Sequence, residues 1–94
     1  MRNDLINRLF DFSVRVIKFL RTFSDCPEIK VIRFQLIKSS ASLSANYEES
    51  QAGSSKADFT NKVRISLREM RESNYWLRLI AALDFDGIDQ NEMK

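Results

Sequence analysis

The chain has 94 residues, 44% of them hydrophobic and 30% charged, with 15 basic against 13 acidic side chains for a net charge of +2. That length makes one domain with a modest core, and the balance of apolar and charged residues excludes low-complexity disorder. The near balance of sign means that a nucleic-acid surface must come from how the charges are arranged, not from their sum.

The first helix is expected from about residue 3 to 23, capped by Asn3 or Asp4. Leu5, Leu9, Phe12, Val16, Phe19 and Phe23 form one stripe at spacings of four and three, and Ile6, Phe10, Ile17 and Leu20 form a second beside it. Together they are wider than the roughly 100° apolar face of a surface helix. Two arrangements fit. The helix is buried deeply in a small bundle, or one stripe faces the intrachain core and the other a second subunit. Arg2, Asp4, Arg8, Asp11, Arg15 and Lys18 interrupt these residues far too often for a membrane span or a signal peptide.

Ser24-Asp25-Cys26-Pro27 ends that helix, and Pro27 opens the next with Asp25 or Cys26 as its cap. The second helix is expected over about 27–52. Ile29, Ile32, Leu36 and Leu43 keep helical spacing, while Ser39 and Asn46 fall on the same stripe. The small residues Ser39, Ser40, Ala41, Ser42, Ser44 and Ala45 would let a neighbouring helix come close. Polar residues on a buried stripe fix register or oligomeric state at some cost in stability. Ser39, Asn46 and Glu49 are therefore read as a structural polar core rather than a ligand site.

Gly53-Ser54-Ser55 is a turn, and Ser55 with Asp58 is a weak capping box. The third helix is expected over about 56–83, roughly 42 Å long. Phe59, Val63, Ser66, Met70, Ser73, Leu77 and Ile80 form a bundle seam. Ile65, Trp76, Leu79 and Leu83 form a second apolar cluster, the candidate oligomer interface together with one stripe of the first helix. Arg64, Arg68, Arg71 and Arg78 fall within an arc of about 80°, with Tyr75 inside it. Arginines around an aromatic ring can follow phosphates while the ring stacks on a base, so these five residues are the candidate nucleic-acid-binding site. After Asp86-Gly87-Ile88 a fourth helix is expected to start at about 88 and to stop as a stub. The fold class is thus all-α: an up-and-down antiparallel bundle in one domain, 1–94, with three long helices and a short or truncated fourth.

Catalytic chemistry finds little support. Without histidine there are no Glu-x-x-His metal pairs and no histidine-assisted serine or cysteine nucleophile. Cys26 has no cysteine companion, which also excludes an intrachain disulfide and points to a reducing cytoplasm. Both glycines sit in turns, so no phosphate loop exists. Of the carboxylate pairs, Glu48 and Glu49 point apart, and Glu69 with Glu72 reads as a solvated or salt-bridged face. The chain is expected to be a non-enzyme with no catalytic residue, no metal and no cofactor.

The runs Gln35-Leu36-Ile37-Lys38-Ser39-Ser40, Ser42-Leu43-Ser44-Ala45-Asn46-Tyr47-Glu48-Glu49 and Ser55-Lys56-Ala57-Asp58-Phe59 are followed by Glu69, Glu72 and Tyr75-Trp76-Leu77. In that order they resemble the four-helix-bundle proteins related to those encoded in intervening sequences of 23S ribosomal RNA genes. The resemblance covers about the whole chain. It implies a bacterial protein that assembles into a ring-like homopentamer, and a related branch comprises accessory proteins of diversity-generating retroelements that partner a reverse transcriptase and nucleic acid. Two departures stand out. Ser44 replaces a glycine common among relatives, and the chain stops at Lys94, as in a shortened member or a truncated product. Two functions follow from different classes: a homo-oligomer that binds RNA or DNA through the basic helix face, or a protein–protein assembly module whose arginines serve solubility and subunit ion pairs.

Overall fold

The computed structural model describes residues 4–53 and 55–83, which form three α-helices and no strand. The expected cap at Asn3 and the expected fourth-helix stub lie outside the described residues. Helix α1 is Asp4–Leu20, with Asp4 in its first turn and Lys18 in its last, each complementing the helix dipole. It ends three residues before Phe23. The Thr22 hydroxyl donates to Phe19 O at 2.7 Å, and the Thr22 and Phe23 amides bond back three residues at 3.1 and 3.4 Å, tightening the last turn. Phe23 is still buried, its ring set edge-on to Phe19 with centroids 4.9 Å apart.

Helix α2 is Pro27–Ser50, with Cys26 at the cap position in extended backbone and Pro27 in the first turn. Cys26 makes no side-chain capping bond. The other candidate cap, Asp25, is engaged elsewhere: its carboxylate pairs with Arg33 at 2.8 Å. The same guanidinium donates through Nη2 to Leu20 O, which also accepts the Phe23 amide, and to Phe23 O just beyond the helix, each at 3.3 Å, so Arg33 adds a donor to the carbonyls at the end of α1. The chain turns after Ser50 through Gly53, whose φ of 83° is the left-handed value that glycine adopts without strain. Helix α3 is Lys56–Leu83, and the Ser55 hydroxyl accepts the Asp58 amide at 3.1 Å as its cap.

Helix α2 is the hub. It packs against both neighbours, whereas α1 and α3 hardly meet. Val16, Phe19, Leu20 and Phe23 join Ile29, Ile32 and Leu36 of α2 and Ile80 of α3 in one buried cluster. The middle of the molecule is different: every buried polar residue there is a serine. Ser13 Oγ donates to Ser40 O at 2.9 Å across α1 and α2, and Ser66 Oγ to Leu43 O at 3.2 Å across α3 and α2. Ser39 and Ser73 bond hydroxyl to hydroxyl at 2.8 Å. No buried side-chain nitrogen or oxygen lacks a partner among the described residues, so these small polar side chains do not incur the penalty of unpaired burial.

The expected seam of α3 divides. Ser66, Ser73 and Ile80 are buried, whereas Phe59 and Met70 are exposed. Leu77 is half-buried and packs against the core, and with Met70 it borders an open groove between α1 and α3. One recess, of about 460 Å³, has Phe12, Val16 and Phe19 of α1 and Leu77 of α3 in its lining, together with Arg8, Asp11 and Arg15. A second recess of about 300 Å³ is bounded by Leu5, Leu9, Leu43 and Met70.

Candidate nucleic-acid interface

Ser66, Ser73 and Ile80 repeat every seven residues and turn inward, while Arg64, Arg71 and Arg78 repeat at the same interval two positions earlier. Two positions are about 200° around a helix, so the arginines project opposite the seam wherever the seam faces α2. Arg64, Arg68, Arg71, Tyr75 and Arg78 are all exposed. From Arg64 to Arg78 the row runs about 21 Å along one rigid helix. The structure thus brings all five sequence-predicted residues onto one outward face.

The charge of that face is only lightly compensated. Arg68 approaches Glu69 at 4.0 Å, the limit of an ion pair, and Arg68 is well exposed, so screening leaves the contact weak. Arg64, Arg71 and Arg78 have no carboxylate within ion-pair distance among the described residues. Glu72 is turned to the indole: Trp76 Nε1–H donates to Glu72 Oε2 at 3.3 Å. Trp76 in turn touches Tyr75 nearly at right angles, with ring centroids 5.1 Å apart. Among the described residues no three of His, Cys, Asp or Glu converge as a metal site, and no helix is long and apolar enough to cross a membrane.

A family model described as 23S rRNA-intervening sequence protein matches residues 1–94, the whole chain. The chain belongs to this family. No curated protein and no solved structure matches it. In this member of the 23S rRNA-intervening sequence protein family, the expected polar core takes a different form from the one its spacing suggested. Ser39 is fully buried and bonded across to α3. Asn46 is only half-buried, and its amide donates within its own helix, to Ser42 O at 2.9 Å and Ser42 Oγ at 3.0 Å. A seven-residue step drifts about 20° on a straight helix, which carries Asn46 toward the flank of α2 and away from the inter-helix seam. Glu49 is exposed. Besides the Ser39–Ser73 bond, the cross-helix hydrogen bonds are those of the Ser13 hydroxyl to Ser40 O and of the Ser66 hydroxyl to Leu43 O. Ser13 carried a legible signal: it continues Leu9 to Val16 and Leu20 at spacings of four, three and four.

The second apolar cluster is also differently placed. Ile65, Trp76 and Leu79 are half-buried and Leu83 is exposed, while Trp76 and Leu79 pack onto the protein's own core. Around α3 they lie on the flank away from Met70 and Leu77, which border the α1–α3 groove. Leu5, Leu9 and Phe12, the part of the α1 stripe that is not buried, therefore share a groove with Met70 and Leu77, not with Trp76.

Proposed function

We propose that this chain is a non-catalytic, self-associating helical protein that binds nucleic acid along the outer face of α3. The observation that carries the reading is the exposed row Arg64, Arg68, Arg71 and Arg78, three of whose guanidinium groups have no acidic partner among the described residues. Such a row on a rigid element binds phosphates mainly by releasing counterions. The family's description, which names an rRNA intervening sequence, agrees with an RNA or its gene as the setting. The single cysteine fits a reducing compartment, and on this reading the protein works in the cytoplasm.

The test is a titration with RNA and DNA across salt concentrations. Replacing Arg64, Arg68 and Arg71 with alanine is expected to leave helicity intact and to reduce the slope of log affinity against log salt by about 2–3, according to the number of phosphates each held. An unchanged slope would remove these residues from the site. The alternative, a protein–protein assembly module without nucleic-acid binding, is favoured by the large exposed side chains Phe10 and Phe34 and stands if wild-type protein shows no salt-dependent binding.

A further inference from the structure

We infer that the ligand of the α3 face is a single-stranded nucleic acid, one base of which stacks on Tyr75 while Arg71 and Arg78 hold the phosphates on either side. This deepens the nucleic-acid reading above and rests on it. Tyr75 sits inside the arginine row, one turn from Arg71 and one turn from Arg78, at the spacing where side chains on a helix are neighbours. Tyr75 is 49% exposed, yet its ring has a fixed neighbour. Trp76 packs onto the core, is tied to Glu72, and meets Tyr75 at 78°. In a near-perpendicular pair, whichever ring supplies the edge, at least one face of the tyrosine remains outside the contact. Tyr75 is thus an exposed aromatic platform braced from one side by Trp76, which lowers the ordering cost of stacking a ligand on it.

The strandedness follows from what that platform can touch. In a duplex the faces of the bases are covered by their neighbours, so along its length a duplex offers Tyr75 sugar, phosphate and the groove edges of bases but no ring face to stack on. Unpaired bases expose their faces and stack readily on aromatic side chains. Arg71 and Arg78 lie about 10 Å apart along the helix, against about 3.4 Å per nucleotide in a stacked strand. That separation suits a strand drawn out around one base lifted onto the ring. The arginines alone would serve either form; the tyrosine among them favours the single strand.

The experiment uses the full chain with fluorescently labelled oligothymidylate, oligouridylate and a blunt DNA duplex of the same length, read by anisotropy at matched salt. Wild type is expected to bind the single strands more tightly than the duplex, and the two homopolymers separate DNA from RNA as the natural source. Tyr75→Leu should weaken single-strand binding about tenfold, the worth of one stacked base at about 1.4 kcal/mol per factor of ten, with the salt slope unchanged. Tyr75→Phe should retain the affinity, because stacking needs the ring and not the hydroxyl. Equal affinity for duplex and single strand, an unaffected Tyr75→Leu, or a Tyr75→Phe as weak as Tyr75→Leu would each overturn the inference. If the arginine variants still lose salt-dependent binding in those cases, the broader reading survives. Absence of binding to every oligonucleotide would overturn both.

Discussion

Ser39 and Ser73 share one hydrogen bond at 2.8 Å in a place where both side chains are almost wholly removed from water. Serine here does two things at once: it is small enough for two helix backbones to approach, and it supplies its own partner across the gap. Ser39 also has the Leu36 carbonyl within 3.2 Å, so the network is anchored in α2 as well as bridging to α3. Ser39→Ala is expected to cost about 1–2 kcal/mol, because the Ser73 hydroxyl loses its cross-helix partner while buried. Ser39→Ala with Ser73→Ala should cost less than the sum of the two single changes, since removing both partners leaves no orphan. Urea denaturation of the four proteins measures this coupling, and strict additivity would show that the pair stabilises nothing as a pair.

At the scale of elements, the end of α1 is held to the start of α2 by Arg33. Its guanidinium serves the Asp25 carboxylate and the carbonyls of Leu20 and Phe23, so one side chain closes the connection between the helices. The hydrogen bond from Arg33, and then its charge, hold the Asp25 carboxyl below its ordinary value near 3.8; Lys30 adds a smaller pull the same way, against a small opposing effect of burial. A carboxylate whose pKa is lower in the folded than in the unfolded chain stabilises above its unfolded pKa, and that contribution is lost as pH falls through the folded value. Melting temperature should therefore drop with acid in this range more steeply for wild type than for Arg33→Ala. NMR titration of Asp25 checks the cause directly: its pKa should rise toward the ordinary value in the variant, and no movement would remove Arg33 as the source.

Across the whole molecule, two neighbours on one hub helix leave much apolar surface uncovered. The α1–α3 groove is one such region, and Phe10 and Phe34, residues 59% and 64% exposed, form others. Fully burying one large side chain is worth about 1.5–3 kcal/mol, so a few of them together drive association in a domain with little stability to spare. On the proposed self-association, sedimentation should show species larger than the monomer at micromolar concentration. Phe34→Lys should shift them toward the monomer without lowering the melting point of the dilute chain, because Phe34 lies outside the core. Trp76→Ala should lower that melting point even in the dilute chain, since Trp76 packs against the protein's own core. A wild-type chain that stays monomeric at high micromolar concentration would refute self-association.

The three helices and the outward arginine row are legible in the sequence, because both rest on local periodicity: a residue's place around a helix follows from its number. Pro27 and Gly53 marked the connections for the same local reason, a restricted φ at one and a left-handed φ at the other. Asn46 shows where that reasoning ends. Its position on the stripe of α2 was readable, yet whether it meets another helix depends on where α3 lies alongside, and it bonds to Ser42 instead. Trp76 shows the same limit, since periodicity placed it in an apolar cluster without saying that its neighbour would be the chain's own core. A single chain's hydrophobic pattern specifies which faces avoid water. Only the packing of α1 and α3 on α2 decided which of those faces meet each other, because inter-helix contacts depend on distances that sequence spacing does not encode.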